Sequence, residues 1–194
     1  MNSFHFSRRQ LLNWAPAIAL SSAATARQAM AHAKYGVVKP PEPSPSMWLV
    51  KDDGKETDLQ RHLQGRVSAV QLVFTKCRAT CPIQAALFAE VARGLQIEDA
   101  QLLSLSIDPA IDKPAALRAW LDSFKAPRSW RAAAPRLQDV DPLLDFFRGR
   151  SQGADRHSSQ VFFLDRKASL VLRSAPMPSA LSVLHSLEAI ARGV

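Results

Sequence analysis

Two short runs dominated by apolar and β-branched residues, Val67 to Phe74 and Gln101 to Ile107, predict buried strands. After the first run, Pro82 suits the opening turn of a helix. Ile83 to Leu95 then keeps apolar residues at helical spacing, ending near Gly94. Earlier in the chain, Met47–Lys51 and Lys55–Leu59 flank Asp52-Asp53-Gly54 and predict a β-hairpin, with Asp58 to Gly65 as a connection. Further on, Asp108-Pro109 breaks the second strand, and Asp112 is placed to cap a helix from Lys113 to Phe124. Ala126 to Pro135 reads as a loop holding Trp130, and Asp139 or Asp141 caps a helix from Pro142 to Arg148. Ser151 to Arg156 is a polar connection. Gln160–Asp165 and Ser169–Arg173 form a second hairpin turning at Arg166-Lys167-Ala168. Pro178 or Ser179 opens a last helix to about Ala191, with Leu181, Leu184, Leu187, Ala189 and Ile190 as its apolar positions. Trp48, Trp120 and Trp130 are expected to pack. Strands alternating with helices, closed by an antiparallel hairpin, predict an α/β fold with a mixed sheet flanked by helices and an N-terminal β-hairpin.

The chain has 194 residues, 47% of them hydrophobic, which is enough for one domain with a real core plus extensions. Ser7-Arg8-Arg9-Gln10-Leu11-Leu12 precedes a weakly apolar, Ala-rich stretch, and Ala29-Met30-Ala31 fits a small-x-small cleavage site. Residues 1–31 are therefore expected to be a twin-arginine-type signal peptide. The apolar stretch is shorter than the ~20 residues a membrane span needs, so the mature protein is expected in the bacterial periplasm, anchored to the membrane only if the signal stays uncleaved. Residues 32–46, ending in Pro40-Pro41-Glu42-Pro43-Ser44-Pro45, read as an extended polyproline-like linker, and the domain as 47–194. The net charge of +8 falls to +5 without Arg8, Arg9 and Arg27. The remaining cations are scattered, with no basic stripe interleaved with aromatics, which argues against nucleic-acid binding; the basic balance instead suits proximity to an anionic membrane surface.

The only two cysteines, Cys77 and Cys81, lie between the strand ending at Phe74 and the helix introduced by Pro82. Cys81 is thus expected at the helix mouth, where the dipole and free N–H groups favour a thiolate. A plain disulfide would clamp only a tiny loop and add little stability. Two thiolates at this spacing can exchange with a partner disulfide, or grip a soft metal if a further ligand joins them. Of the five histidines, His5 and His32 fall in or beside the signal, and His62 and His185 read as surface or half-buried positions. His157 follows a polar loop and directly precedes an apolar strand, and a loop of that kind can lie over the strand-to-helix end of the first unit. Asp108 and Asp112 read as turn and cap residues, and Met177 as loop or core filler.

Thr75-Lys76-Cys77-Arg78-Ala79-Thr80-Cys81-Pro82 resembles the T-x-C-x-x-x-C-P signature of the Sco/SenC family. Leu105 to Pro114 and His157 to Asp165 are similar to two further segments of that family, in the same order. The resemblance implies a thioredoxin-like domain that binds one copper ion, as Cu(I) or Cu(II), through Cys77, Cys81 and His157. It implies a metallochaperone assisting assembly of the dinuclear copper centre of cytochrome c oxidase. The partner would be the apo copper-site subunit of the oxidase or another periplasmic copper protein. The alternative it leaves open is a metal-independent thiol–disulfide oxidoreductase in which Cys77 and Cys81 are the catalytic pair. Where family members usually carry a proline or aspartate between the cysteines, this chain has Arg78-Ala79-Thr80, and Lys76 adds a further positive charge.

Overall fold

The computed structural model describes residues 35–151 and 157–193. The expected signal peptide, the start of the linker and most of the Ser151–Arg156 connection lie outside the described residues. Among the described residues one eight-stranded mixed sheet runs through the domain, in the order β1 (Gly36–Pro43), β8 (Ser169–Arg173), β7 (Phe162–Leu164), β4 (Val67–Val73), β5 (Ala100–Ser106), β6 (Trp130–Pro135), β2 (Trp48–Lys51) and β3 (Glu56–Asp58). Its centre is β4 (Val67–Val73), β5 (Ala100–Ser106) and β6 (Trp130–Pro135), which are mutually parallel. On one side β4 pairs antiparallel with β7 (Phe162–Leu164), which pairs with β8 (Ser169–Arg173). On the other, β6 pairs antiparallel with β2 (Trp48–Lys51), and β2 with β3 (Glu56–Asp58). Every residue of β4 and β5 is buried, as expected of parallel strands covered on both faces.

Alternation along the central strands sorts the core into two layers. Val70, Leu72, Leu103 and Leu105 face α1 (Leu59–Leu63) and α4 (Val140–Phe147), meeting Leu59, Leu63, Leu143 and Phe147. Val67, Ala69 and Leu102 face α2 (Thr80–Gly94), α3 (Pro114–Ser123) and α5 (Ala180–Ala191), meeting Phe88, Leu117, Leu121, Val183 and Leu187. This is the α/β sandwich that the element order predicts, and the thioredoxin-like domain that the resemblance implies. None of the helices among the described residues is long and apolar enough to cross a membrane.

Several local readings need correction. Residues 36–43, expected as linker, form the edge strand β1 (Gly36–Pro43), antiparallel to β8, so the folded domain begins ahead of Met47. Its prolines are tolerated because an edge strand needs only one of its two sides for pairing. The expected connection at 58–65 contains α1: the Asp58 side chain accepts from Arg61 N, and Leu59 and Leu63 share a buried face. The loop expected around Trp130 is β6; its ring is buried and its Nε1–H donates to Ser104 Oγ at 2.9 Å. Trp48, expected to pack, is 49% exposed beneath the Arg136 guanidinium. In α5, Val183 takes the buried place expected for Leu181, which faces outward.

Candidate functional site

The strand-to-helix junction after β4 carries both cysteines, as expected. Cys77 N–H donates to Phe74 O at 3.1 Å, which folds the loop back as β4 ends. Cys81 sits in the first turn of α2, and its own N–H, one of the donors a helix leaves unsatisfied there, points to Cys77 Sγ at 3.4 Å. Both residues are thiols. Cys81 is buried and Cys77 half-buried, so Cys77 is the sulfur on the solvent side.

His157, 76 positions beyond Cys81, is brought to it: its Nε2 lies 3.4 Å from Cys81 Sγ. The ring is buried and meets Phe74 edge-on at 5.8 Å between centroids. Its Nδ1 is 3.0 Å from the carbonyl oxygen of Ser158. A carbonyl oxygen only accepts, so Nδ1 carries the proton. In the neutral ring, Nε2 is then the lone-pair nitrogen, and it faces the sulfur. Metal-binding histidines are oriented in this way, with the non-ligating N–H anchored to a backbone carbonyl.

What places His157 is the end of α4. Arg148 closes that helix in the left-handed conformation, φ 52°, and Gly149 N–H donates to Leu144 O at 2.8 Å. Gly149 O in turn accepts from Ser158 N at 2.7 Å, and Arg150 bridges to His157. A Cβ at position 149 would fall 2.3 Å from Leu72 Cδ1, and Leu72 is fully buried in β4, the strand that leads to the cysteines. Gly149→Ala is therefore expected to cost about 1–3 kcal/mol of stability by overpacking. It should also shift the His157 ring signals in an NMR spectrum; an unchanged denaturation midpoint would show that Leu72 can give way freely.

A second support was misread in the sequence. Asp112 caps nothing: α3 begins at Pro114 after Lys113, with no side-chain cap bond. Instead the buried Asp112 carboxylate accepts from Thr75 Oγ1 at 2.5 Å, Thr75 N at 3.1 Å and Ser106 Oγ at 2.6 Å. It ties the start of the cysteine loop to the end of β5. The residue pattern had favoured a helix cap for Asp112, and the Thr75 and Ser106 partners became visible only once β4 and β5 were side by side.

The remaining candidates stay apart. His185 and Met177 are exposed, and His62 lies at the opposite end of β4. Among the described residues no three His, Cys, Asp or Glu side chains converge closely enough to hold a metal ion as they stand. The assembled pair is Cys81 with His157, and Cys77 joins it through the Cys81 amide. In chemistry the three fit a soft or borderline metal: two sulfurs and an imidazole nitrogen whose lone pair is already turned inward.

The SCO1/SenC family model matches residues 41–192. The SCO1 protein homolog of Bacillus subtilis is 32% identical over 74 residues, a match covering 37% of this chain and 38% of that relative's length. Among solved structures, a SCO1/SenC family lipoprotein from Bacillus anthracis superposes with a TM-score of 0.68 at 21% identity, covering 79% of this chain and 99% of that one. Yeast Sco1, solved with copper bound, gives 0.68 at 18% identity, covering 79% and 91%. At these identities the structural likeness establishes the fold.

Proposed function

The chain belongs to the SCO1/SenC family, and from that premise we propose that it carries one copper ion on Cys77, Cys81 and His157 for assembly of the dinuclear copper centre of cytochrome c oxidase. The observation that carries this reading is the 3.4 Å approach of His157 Nε2 to Cys81 Sγ, with the proton held on Nδ1 by Ser158 O. The recipient in this reading is the apo copper-site subunit, or another periplasmic copper protein; its support is that a fold neighbour is described as a member of the Sco family of cytochrome c oxidase assembly proteins. Thiolates suit Cu(I), and the imidazole nitrogen extends the set to Cu(II). As cargo, the metal must leave as well as arrive. The half-buried Cys77 is the donor that an incoming ligand can reach first, whereas Cys81 and His157 are buried. Anaerobic titration of the reduced protein with Cu(I) and with Cu(II) tests the reading, with one ion per chain expected for each; failure to bind either sinks it.

The 3.4 Å contact between the Cys81 amide and Cys77 Sγ also favours a second reading, thiol–disulfide exchange without metal. In that reaction the Cys77–Cys81 dithiol is oxidised to a disulfide while a partner disulfide is reduced to two thiols. Exchange with a disulfide-bonded partner peptide that survives His157→Ala, in a protein that takes up no copper, selects this reading over the first.

For the address, we infer export to the periplasm by the twin-arginine-type segment 1–31, followed by the mature domain. The support is the Arg8-Arg9 pair ahead of an apolar stretch with a small-x-small site at Ala29-Met30-Ala31. Arg8→Lys with Arg9→Lys is expected to leave the protein in the cytoplasmic fraction; periplasmic recovery equal to wild type would refute the assignment.

A further inference from the structure

Five of the cations that are scattered along the sequence come together in space. At the end of the sheet opposite the cysteines, a cleft of about 510 Å³ is lined by Lys51, Arg61, Arg66, Arg128 and Arg131, with His62 and Gln101 among its other walls. These residues come from the first hairpin, α1 and the starts of β4, β5 and β6, whereas Cys77 and Cys81 follow the far end of β4. The volume suits a small ligand.

Two of the cations are braced. Arg131 Nε donates to Asp52 Oδ1 at 2.8 Å, its NH2 group lies 3.0 Å from Asp53, and Lys51 lies 3.5 Å from Asp53. Arg61, Arg66 and Arg128 have exposed side chains and no carboxylate partner among the described residues. Gathering cations without counter-charge costs free energy that an anion would recover. An independent observation comes from His62: its Nε2 is buried and has no hydrogen-bond partner among the described residues, and a buried polar atom left so is met by a water or an ion. The His62 backbone is held in place by Gln101 Nε2, which donates to His62 O at 3.2 Å. Burial, reinforced by Lys51, Arg66 and Arg131 against the weaker opposing pull of Asp53, pushes the imidazole down to about 4, so the positive field reaches this ring.

We propose that this cleft is an anion site for a phosphate group, bound by Arg61, Arg66 and Arg128 against the braced wall of Lys51 and Arg131, with His62 at its floor. Guanidinium groups pair with phosphate oxygens through two parallel N–H bonds, which is why arginine rather than lysine dominates such sites. The phosphate can be free or part of an anionic lipid headgroup, and the test separates the two.

The metal-free full-length protein is titrated at low ionic strength with pyrophosphate while the His62 ring signals are followed by NMR. In parallel it is co-sedimented with vesicles of phosphatidylglycerol in phosphatidylcholine, and with phosphatidylcholine alone. The expected result is a saturable response in at least one arm, a His62 titration moved up from about 4, and affinity lowered at least about tenfold in Arg61→Gln/Arg66→Gln/Arg128→Gln. Those side chains are exposed and make no ion pair among the described residues, so the triple variant should keep the wild-type fold, which its NMR spectrum checks. Saturation by pyrophosphate assigns a free anion; binding confined to phosphatidylglycerol vesicles, with the same loss in the variant, assigns a headgroup. No saturable response in either arm, or a triple variant that binds like wild type, overturns the proposal.

Discussion

Replacing His157 by alanine is expected to lower Cu(II) affinity by well over about a hundredfold, because loss of an outer-shell partner alone costs 10–100-fold and here a ligand itself would be lost. Cu(I) binding should fall less, since Cys77 and Cys81 still offer two soft sulfurs. The split between the two oxidation states is the diagnostic result. His157 is buried against Phe74, so alanine also leaves a void, and His157→Gln is the companion variant that fills it. Both variants should behave alike toward Cu(II) while differing in stability. Cu(II) titration followed by the thiolate-to-copper absorption measures it, and wild-type affinity in either variant would remove His157 from the ligand set.

The cysteine part of that candidate site was legible in the sequence because it is punctuated. A cysteine pair between an apolar strand and a Pro-led helix fixes where the sulfurs lie, whereas position alone left His157 as readily in solvent as over the same sheet end, and the resemblance to the Sco/SenC family is what joined it to them. The residues that hold it were not legible. Gly149 matters through Leu72, and Asp112 through Thr75 and Ser106; those contacts exist only after β4, β5 and α4 have packed. Strand β6 was missed for a related reason. Arg131-Ala132-Ala133-Ala134 has none of the β-branched residues that announce a strand, and its conformation is set by pairing with β5 and β2. In β1 the prolines pointed to a free extended linker, and only the register with β8 makes an edge strand of it. The basic cleft is the extreme case: Lys51, Arg61, Arg66, Arg128 and Arg131 never form a run in the chain, so their sum appears only in the fold.

Asp112 gives the sharpest test of which of these readings of the chain is correct. As a helix cap, Asp112→Asn would be close to neutral, because asparagine caps about as well as aspartate. As a buried clamp it is not neutral. The carboxylate collects donors from both Thr75 and Ser106, and an amide has one acceptor oxygen for them and brings an NH2 group of its own. The hydroxyls of Thr75 and Ser106 can turn to accept from that NH2, but Thr75 N–H can only donate. Asp112→Asn is therefore expected to cost about 1–2 kcal/mol, and Asp112→Ala, which strands all of these groups in the interior, about 3 kcal/mol or more, read from denaturant midpoints. Thr75 stands two residues before Cys77, so the loosened loop should also weaken copper binding by roughly 10–100-fold although Asp112 touches no sulfur. The two readouts must move together if the clamp acts through the loop. An Asp112→Asn protein with wild-type stability would return Asp112 to the role of a cap, and one destabilised with copper affinity intact would show that the cysteine loop holds its shape without it.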